Sequence, residues 1–268
     1  MLEPCKLQRH WKLRLKQNRE GYKEMKRDSN SYIFLYSIVM VVVVAVLLAL
    51  VSSGLKPAQQ ENVKMEKRID ILKSIGLGEA LDGAGQEAVR EAYAKYIKQE
   101  LVVGSDGRPV EGVHAFDLDL RSELVKPADS RQLPIFVATL DDGSVKYIFP
   151  LAGQGLWGQI WGYLSVNADM NTVYGTSFGH KSETPGLGAD IATAGFQKRF
   201  KGKKLFEGAE FVSVAVKKSG NTADNPHAID AISGATLTSD GVTNMLLHSL
   251  SAYRSFMESK KKEGARNE

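Results

Sequence analysis

The sequence predicts an α+β protein: a single N-terminal transmembrane helix followed by one domain with a mostly antiparallel sheet flanked by helices. Three observations carry this. An uncharged apolar run occupies 32–51, short β-rich runs separated by turn residues cluster between 134 and 217, and helical periodicity marks both ends of the remaining chain.

The anchor comes first. From Tyr32 to Val51 no residue is charged and Ser37 is the only small polar one, so at 1.5 Å per residue a helix here spans roughly 30 Å, the thickness of a bilayer's hydrocarbon. A buried core helix of that length carries a polar stripe, and a signal peptide has a shorter apolar core; Ala49 to Ser53 offers only a weak cleavage pattern. The transmembrane helix is therefore assigned to 32–54. Residues 1–31 hold nine Lys/Arg and four Asp/Glu, leaving 26 and 27 beyond them, so the arm is +5 and the rest −1. By the positive-inside rule the arm is cytoplasmic and 55–268 lies on the other side. The net charge of +4 is thus a signal of the anchor's flank. No basic face interleaved with aromatics appears beyond the anchor, which gives no reason to invoke nucleic acid. Cys5 is the one cysteine, so the domain can form neither a disulfide nor a thiolate metal site.

Beyond Pro57 a short polar linker is expected, then an amphipathic helix over 62–75 that ends near Gly76 and Gly78 and a second helix over 86–101. The runs 134–140 and 145–150 flank Asp141-Asp142-Gly143, a hairpin signal, and 160–166, 172–178 and 211–217 add three more candidate strands. Ser239 or Asp240 then caps a helix reaching about 258, with Val242, Met245, Leu246, Leu250, Tyr253 and Met257 on one face.

Just before that helix stands Asp230-Ala231-Ile232-Ser233-Gly234-Ala235-Thr236-Leu237-Thr238-Ser239. It is suited to hold a phosphate: Gly234 and Ala235 admit close approach to the backbone, Thr236 offers a hydroxyl, and a helix start supplies free N–H groups. The pattern Asp-x-x-Ser-Gly-Ala-Thr resembles the flavinylation motif of membrane redox complexes, in which FMN is esterified through its phosphate to the last threonine, here Thr236. A second run, Gly179-His180-Lys181-Ser182-Glu183-Thr184-Pro185-Gly186-Leu187-Gly188, and the anchor bounded by Ser31-Tyr32 and by Ser52-Ser53-Gly54-Leu55-Lys56-Pro57 extend the likeness. From about Lys26 to Lys260 the chain resembles the C subunit of the sodium-translocating NADH:quinone reductases. The G subunit of the Rnf electron-transport complex shares both motifs and is the alternative within the same chemistry. A non-redox anchored module, with the small-residue run serving only as a helix cap, is the alternative outside it.

The resemblance implies a membrane-anchored electron carrier with covalent FMN on Thr236, extracytoplasmic at a bacterial inner membrane. It also implies the other subunits of a multisubunit redox complex and a flavin transferase for maturation. Residues 1–24 are either untranslated, with the start at Met25 where the family's chains usually begin, or a genuine basic cytoplasmic arm. Ser233 and Thr238 are the expected donors to the phosphate oxygens, with Gly234, Ala235 and Leu237 beside them. Asp230 serves the transferase or is a turn carboxylate. Pro185-Gly186 and Gly188 shape a turn on which a flat ring can lie; Leu187 meets its face and Thr184 its polar edge. Glu183 either anchors that turn or meets the ring. Trp157 and Trp161 are both candidates to stack on it. Gly153-x-Gly155-x-x-Gly158 has a nucleotide-binding spacing but precedes a strand, so it is fortuitous. His180 reads as a loop residue, since no His/Cys/Asp/Glu spacing forms a ligand set. No Rossmann fingerprint or intramembrane carboxylate is present, so NADH binding and ion conduction fall to partners.

Overall fold

A computed structural model describes residues 30–81, 83–218, 222 and 224–267. The expectations for the arm at 1–29 and for the start at Met25 lie outside the described residues. The chain divides into two compact units, Met1–Glu61 and Asn62–Glu268.

Helix α1, Asn30–Ser74, holds the apolar run, whose large side chains from Ile33 to Leu55 are exposed. It is long and apolar enough to cross a membrane. The polar linker expected after Pro57 is instead helical. Pro57 lies inside α1, where it removes one ladder hydrogen bond, and the Ala, Gln, Glu, Lys and Met residues that follow are strong enough helix formers to carry the helix through. The end comes where expected. Gly76, at φ +88, and Leu77 return their N–H groups to Lys73 and Leu72 carbonyls at 3.0 and 3.1 Å, a Schellman closure that needs a residue with positive φ.

In the second unit, α2 (Gln86–Tyr96) stops five residues short of the expected end. Ile97 begins strand β1 (Ile97–Val103), which pairs with β2 (Leu133–Thr139) and buries Val102 and Val103. Pairing with β2 overrides the local helical period, which Ile97 fits equally well. After a short α3 (Leu120–Val125), β2 leads into β3 (Val145–Gln154), β4 (Gln159–Asn167) and β5 (Val173–His180). The five strands form an antiparallel sheet in the order β1-β2-β3-β4-β5. Gly143, at φ +77, makes the β2–β3 turn as expected. Pro150 is tolerated in β3 because pairing with β2 ends at Ile148.

The strand expected over 211–217 is broken. Ser213 takes φ +63 and separates β7 (Glu210–Phe211), paired with β6 (Phe206–Glu207), from β8 (Ala215–Lys217), which runs parallel to β9 (Ala228–Asp230). Between β5 and β6 lies the single turn of α4 (Ala194–Gln197). The C-terminal helix is two helices, α5 (Thr236–Ala252) and α6 (Arg254–Asn267).

Period-two alternation divides the sheet between two cores. Ile135, Phe149, Leu151, Ile160 and Leu164 face α5 through Val242, Met245, Leu246 and Leu250, while Phe136, Ile148 and Tyr163 face the end of α1 and α2 through Ile71, Leu72 and Val89. The sheet thereby fixes α5, and with it the start of that helix. Tyr253, at the α5–α6 junction, is fully buried; its ring centroid lies 5.0 Å from that of Phe149 and its hydroxyl donates to the Pro134 carbonyl at 3.0 Å. Tyr253→Phe leaves that carbonyl unpaired and is expected to cost about 1 kcal/mol, a fall of roughly 2–4 °C in Tm by thermal melting.

Candidate functional site

Three turns meet at one end of the second unit. The first leads into α5. The chain leaves β9 with Ala231 N–H donating to Lys217 O (2.8 Å), turns through Gly234 at φ +77, and closes with Ala235 N–H on Ile232 O (3.1 Å). Helix α5 therefore starts at Thr236, three residues before the expected cap. Ser239 acts on the turn from inside the helix, its hydroxyl oxygen accepting from Ile232 N–H at 3.3 Å. The residue in the N-cap position is Ala235, which has no side-chain oxygen to accept the first-turn N–H bonds. A 17-residue helix thus presents its positive end uncapped, with Ser233 and Thr236 exposed beside it. Leu237, 61% exposed, adds an apolar side chain to the same turn.

The second turn spans 184–188. Leu187 and Ala189 N–H groups both donate to Thr184 O at 3.1 Å, and Gly186, following Pro185, takes φ +74. Leu187 is 40% exposed and touches the first turn: a Cβ on Gly234 would lie 2.9 Å from Leu187 Cδ2. The third is the β3–β4 hairpin tip, where Gly155 N–H donates to Gly158 O at 2.8 Å and Leu156 and Trp157 point outward, Trp157 being 66% exposed. The glycine spacing of 153–158 thus belongs to a hairpin and opens no helix.

Glu183 joins all three. It is only 5% exposed; Oε1 accepts from Trp157 N–H at 2.8 Å and Oε2 from the Thr238 hydroxyl at 2.7 Å. Its own N–H donates to His180 Nδ1 at 3.3 Å, which gives His180 a part in the loop. Two glycines make room for the carboxylate. A Cβ on Gly155 would stand 2.5 Å from Oε1, and one on Gly188 would overlap Oε2 and lie 2.6 Å from Thr238 Oγ1. Thr238 is buried with its hydroxyl turned to Glu183, so Ser233 is the exposed side-chain donor of the pair expected at the phosphate. No residue pattern announced this three-way junction.

Trp161 does not join the site. It shares the Tyr163 face of β4, lies across Gly179, where a Cβ would be 2.7 Å from its ring, and stands close to the Asp70 carboxyl of α1, which accepts from the Ser177 hydroxyl at 3.3 Å. Burial raises the Asp70 pKa, against smaller lowering effects from Lys73 and from the Trp161 and Ser177 side chains. Because the folded chain holds this proton more tightly than the unfolded one, stability falls as pH rises from the usual carboxylate range through the raised value. Asp70→Asn is expected to remove that fall, seen as a flatter dependence of the urea midpoint between pH 4 and 7. Asp230 accepts from the Thr222 hydroxyl at 2.6 Å, and its carbonyl accepts from Arg199 at 3.1 Å. Among the described residues no group of three His, Cys, Asp or Glu is placed to hold a metal ion.

Residues 155–251, which contain all three turns, match the family model of the FMN-binding domain. The C subunit of the Na+-translocating NADH-quinone reductase from Haemophilus ducreyi is 32% identical over 236 residues, covering 82% of this chain and 90% of its own length. The chain belongs to this C-subunit family. Its Pasteurella multocida member is 35% identical over 208 residues, covering 71% of this chain and 78% of its own. A crystal structure of the Parabacteroides distasonis member is 43% identical with a TM-score of 0.68, covering 76% of this chain and 96% of that one. The fold class is as the sequence predicts, an apolar helix followed by a mostly antiparallel sheet with helices.

Proposed function

We propose that the chain is the membrane-anchored electron-carrier subunit of a Na+-translocating NADH:quinone oxidoreductase, with FMN bound through a phosphoester to Thr236. The observation that carries this reading is the uncapped start of α5: a helix whose N-cap is alanine, with an exposed threonine hydroxyl in its first turn, fits a phosphate that acts as the missing cap. Backbone N–H groups of the first turn and the Ser233 hydroxyl would hold the phosphate. The exposed Leu187, Leu237 and Trp157 side chains, carried on adjoining turns, supply apolar surface suited to a flat ring, and Thr184 and the amides of 184–188 supply polar groups for its edge. When bound, FMN supplies reversible electron transfer, which none of the side chains here can provide.

The protein's own contributions are attachment, orientation and an electrostatic setting. A covalent link keeps the carrier filled where no FMN pool replaces one that dissociates, and the helix end stabilises the phosphate charge by about 0.3–1 kcal/mol when exposed. The charge difference between the arm and the rest supports a cytoplasmic N-terminus, a span at 32–54 and an extracytoplasmic FMN domain at 55–268. NADH and Na+ sites belong to partner subunits, and a flavin transferase performs the attachment. Deleting this chain from its native membrane tests the assignment. Na+-stimulated NADH:quinone reductase activity should disappear and return with the plasmid-borne chain; unchanged activity would refute it.

A further inference from the structure

We propose that Glu183 is the positioning residue of this site: its buried carboxylate locks the Trp157 turn, the 184–188 turn and the first turn of α5 into one preformed unit before any flavin is attached. The inference rests on the reading that these turns hold FMN. Its basis is geometric. One carboxylate receives a backbone N–H from the hairpin tip and a hydroxyl from α5, at 2.8 and 2.7 Å, across 26 and 55 residues of sequence. Glycines stand at both places, 155 and 188, where a methyl group would strike its oxygens. At both positions the nearest atom that a Cβ would meet is an oxygen of this carboxylate.

A buried carboxylate is costly to place unless its oxygens are well satisfied, and removing it strands the buried Thr238 hydroxyl and the part-buried Trp157 N–H. The side chain is therefore placed to pull three separate segments into register, each of which otherwise ends in exposed turn residues. The exposed Trp157, Leu187 and Leu237 side chains all spring from backbone that this group fixes directly or through one neighbour. Glu183 touches no outside ligand in this role; both of its oxygens already face protein donors.

Glu183→Gln tests shape apart from charge, because its amide oxygen can still accept from Trp157 N–H while its NH2 donates to Thr238 Oγ1. The measurement is hydrogen exchange of the Trp157 amide in the full chain in detergent, in a flavin-free Thr236→Ala background. Glu183→Ala is expected to speed that exchange about 10- to 100-fold, Glu183→Gln to leave it close to the parent, and Thr238→Val to fall between. In the flavin-loaded chain, visible circular dichroism of the flavin should weaken with Glu183→Ala and be retained with Glu183→Gln. Unchanged exchange in Glu183→Ala, or Glu183→Gln as fast as Glu183→Ala, would overturn the proposal. Should Glu183→Ala fail to fold, the contrast between Thr238→Val and Glu183→Gln decides it: faster exchange in Thr238→Val alone supports the lock, and no difference overturns it. The exchange arm needs no flavin, so loss of the FMN reading would appear separately, as an unloaded wild-type chain.

Discussion

Thr236→Ala is expected to abolish flavin fluorescence from the chain's band on a denaturing gel. A noncovalent flavin is lost on denaturation, so the band reports only a bond that survives it. Thr236 is the first residue of α5, its side chain is exposed, and no neighbouring side chain caps the helix end. Of the neighbouring hydroxyls, Thr238, two residues on, is buried against Glu183, and Ser233, three residues back, lies before the Gly234 turn. Neither offers an equivalent point of attachment. The substitution removes a single exposed hydroxyl and a methyl group, and alanine is a better helix former than threonine, so the fold should be retained. The expected result is complete loss of the fluorescent band with an unchanged melting temperature for the flavin-free chain.

The second large effect is expected at Gly188. A methyl group there overlaps Glu183 Oε2 and comes within 2.6 Å of Thr238 Oγ1, and Gly188 is itself buried. Gly188→Ala therefore forces the carboxylate away from Thr238, combining overpacking with a loosened buried hydrogen bond. We expect a loss of about 2–3 kcal/mol, or roughly 4–12 °C in Tm, together with markedly reduced flavin loading by the transferase. Gly186→Ala provides the contrast. Open space surrounds its Cβ position, so its cost comes from φ +74 alone and should be near 1 kcal/mol.

Much of this architecture was legible in the sequence because it rests on local pattern. The apolar helix follows from a charge-free run, and the β2–β3 hairpin from Asp141-Asp142-Gly143. Where local pattern served two periods, it misled. Ile97 suits the continuation of α2 as well as β1, and only the pairing of Leu101 with Ile135 and its neighbours decides between them. The alternation of Phe211, Val212, Val214 and Val216 concealed a backbone reversal at Ser213, a residue type that rarely adopts positive φ. At the start of α5, Ser239 resembled a cap, and its hydroxyl does receive an N–H of the preceding turn, but from a position inside the helix.

The candidate site divides in the same way. The hydroxyl and glycine runs around 236 and 186 were readable one at a time, since each encodes a turn. Their meeting was not. It depends on Glu183 reaching Trp157 and Thr238 across long sequence separations, and on Gly155 and Gly188 being small for a reason no spacing expresses. Trp161 shows the converse: its sequence setting matches that of Trp157, yet one strand residue beyond Ile160 turns it to the opposite face of the sheet, onto Asp70.

Peptide mapping by mass spectrometry of the chain purified from its native membrane tests the central claim most directly. The account predicts that the peptide containing Thr236 carries the mass of FMN less one water, with fragmentation placing it on that residue. Recovery of that peptide unmodified in essentially every copy would contradict it.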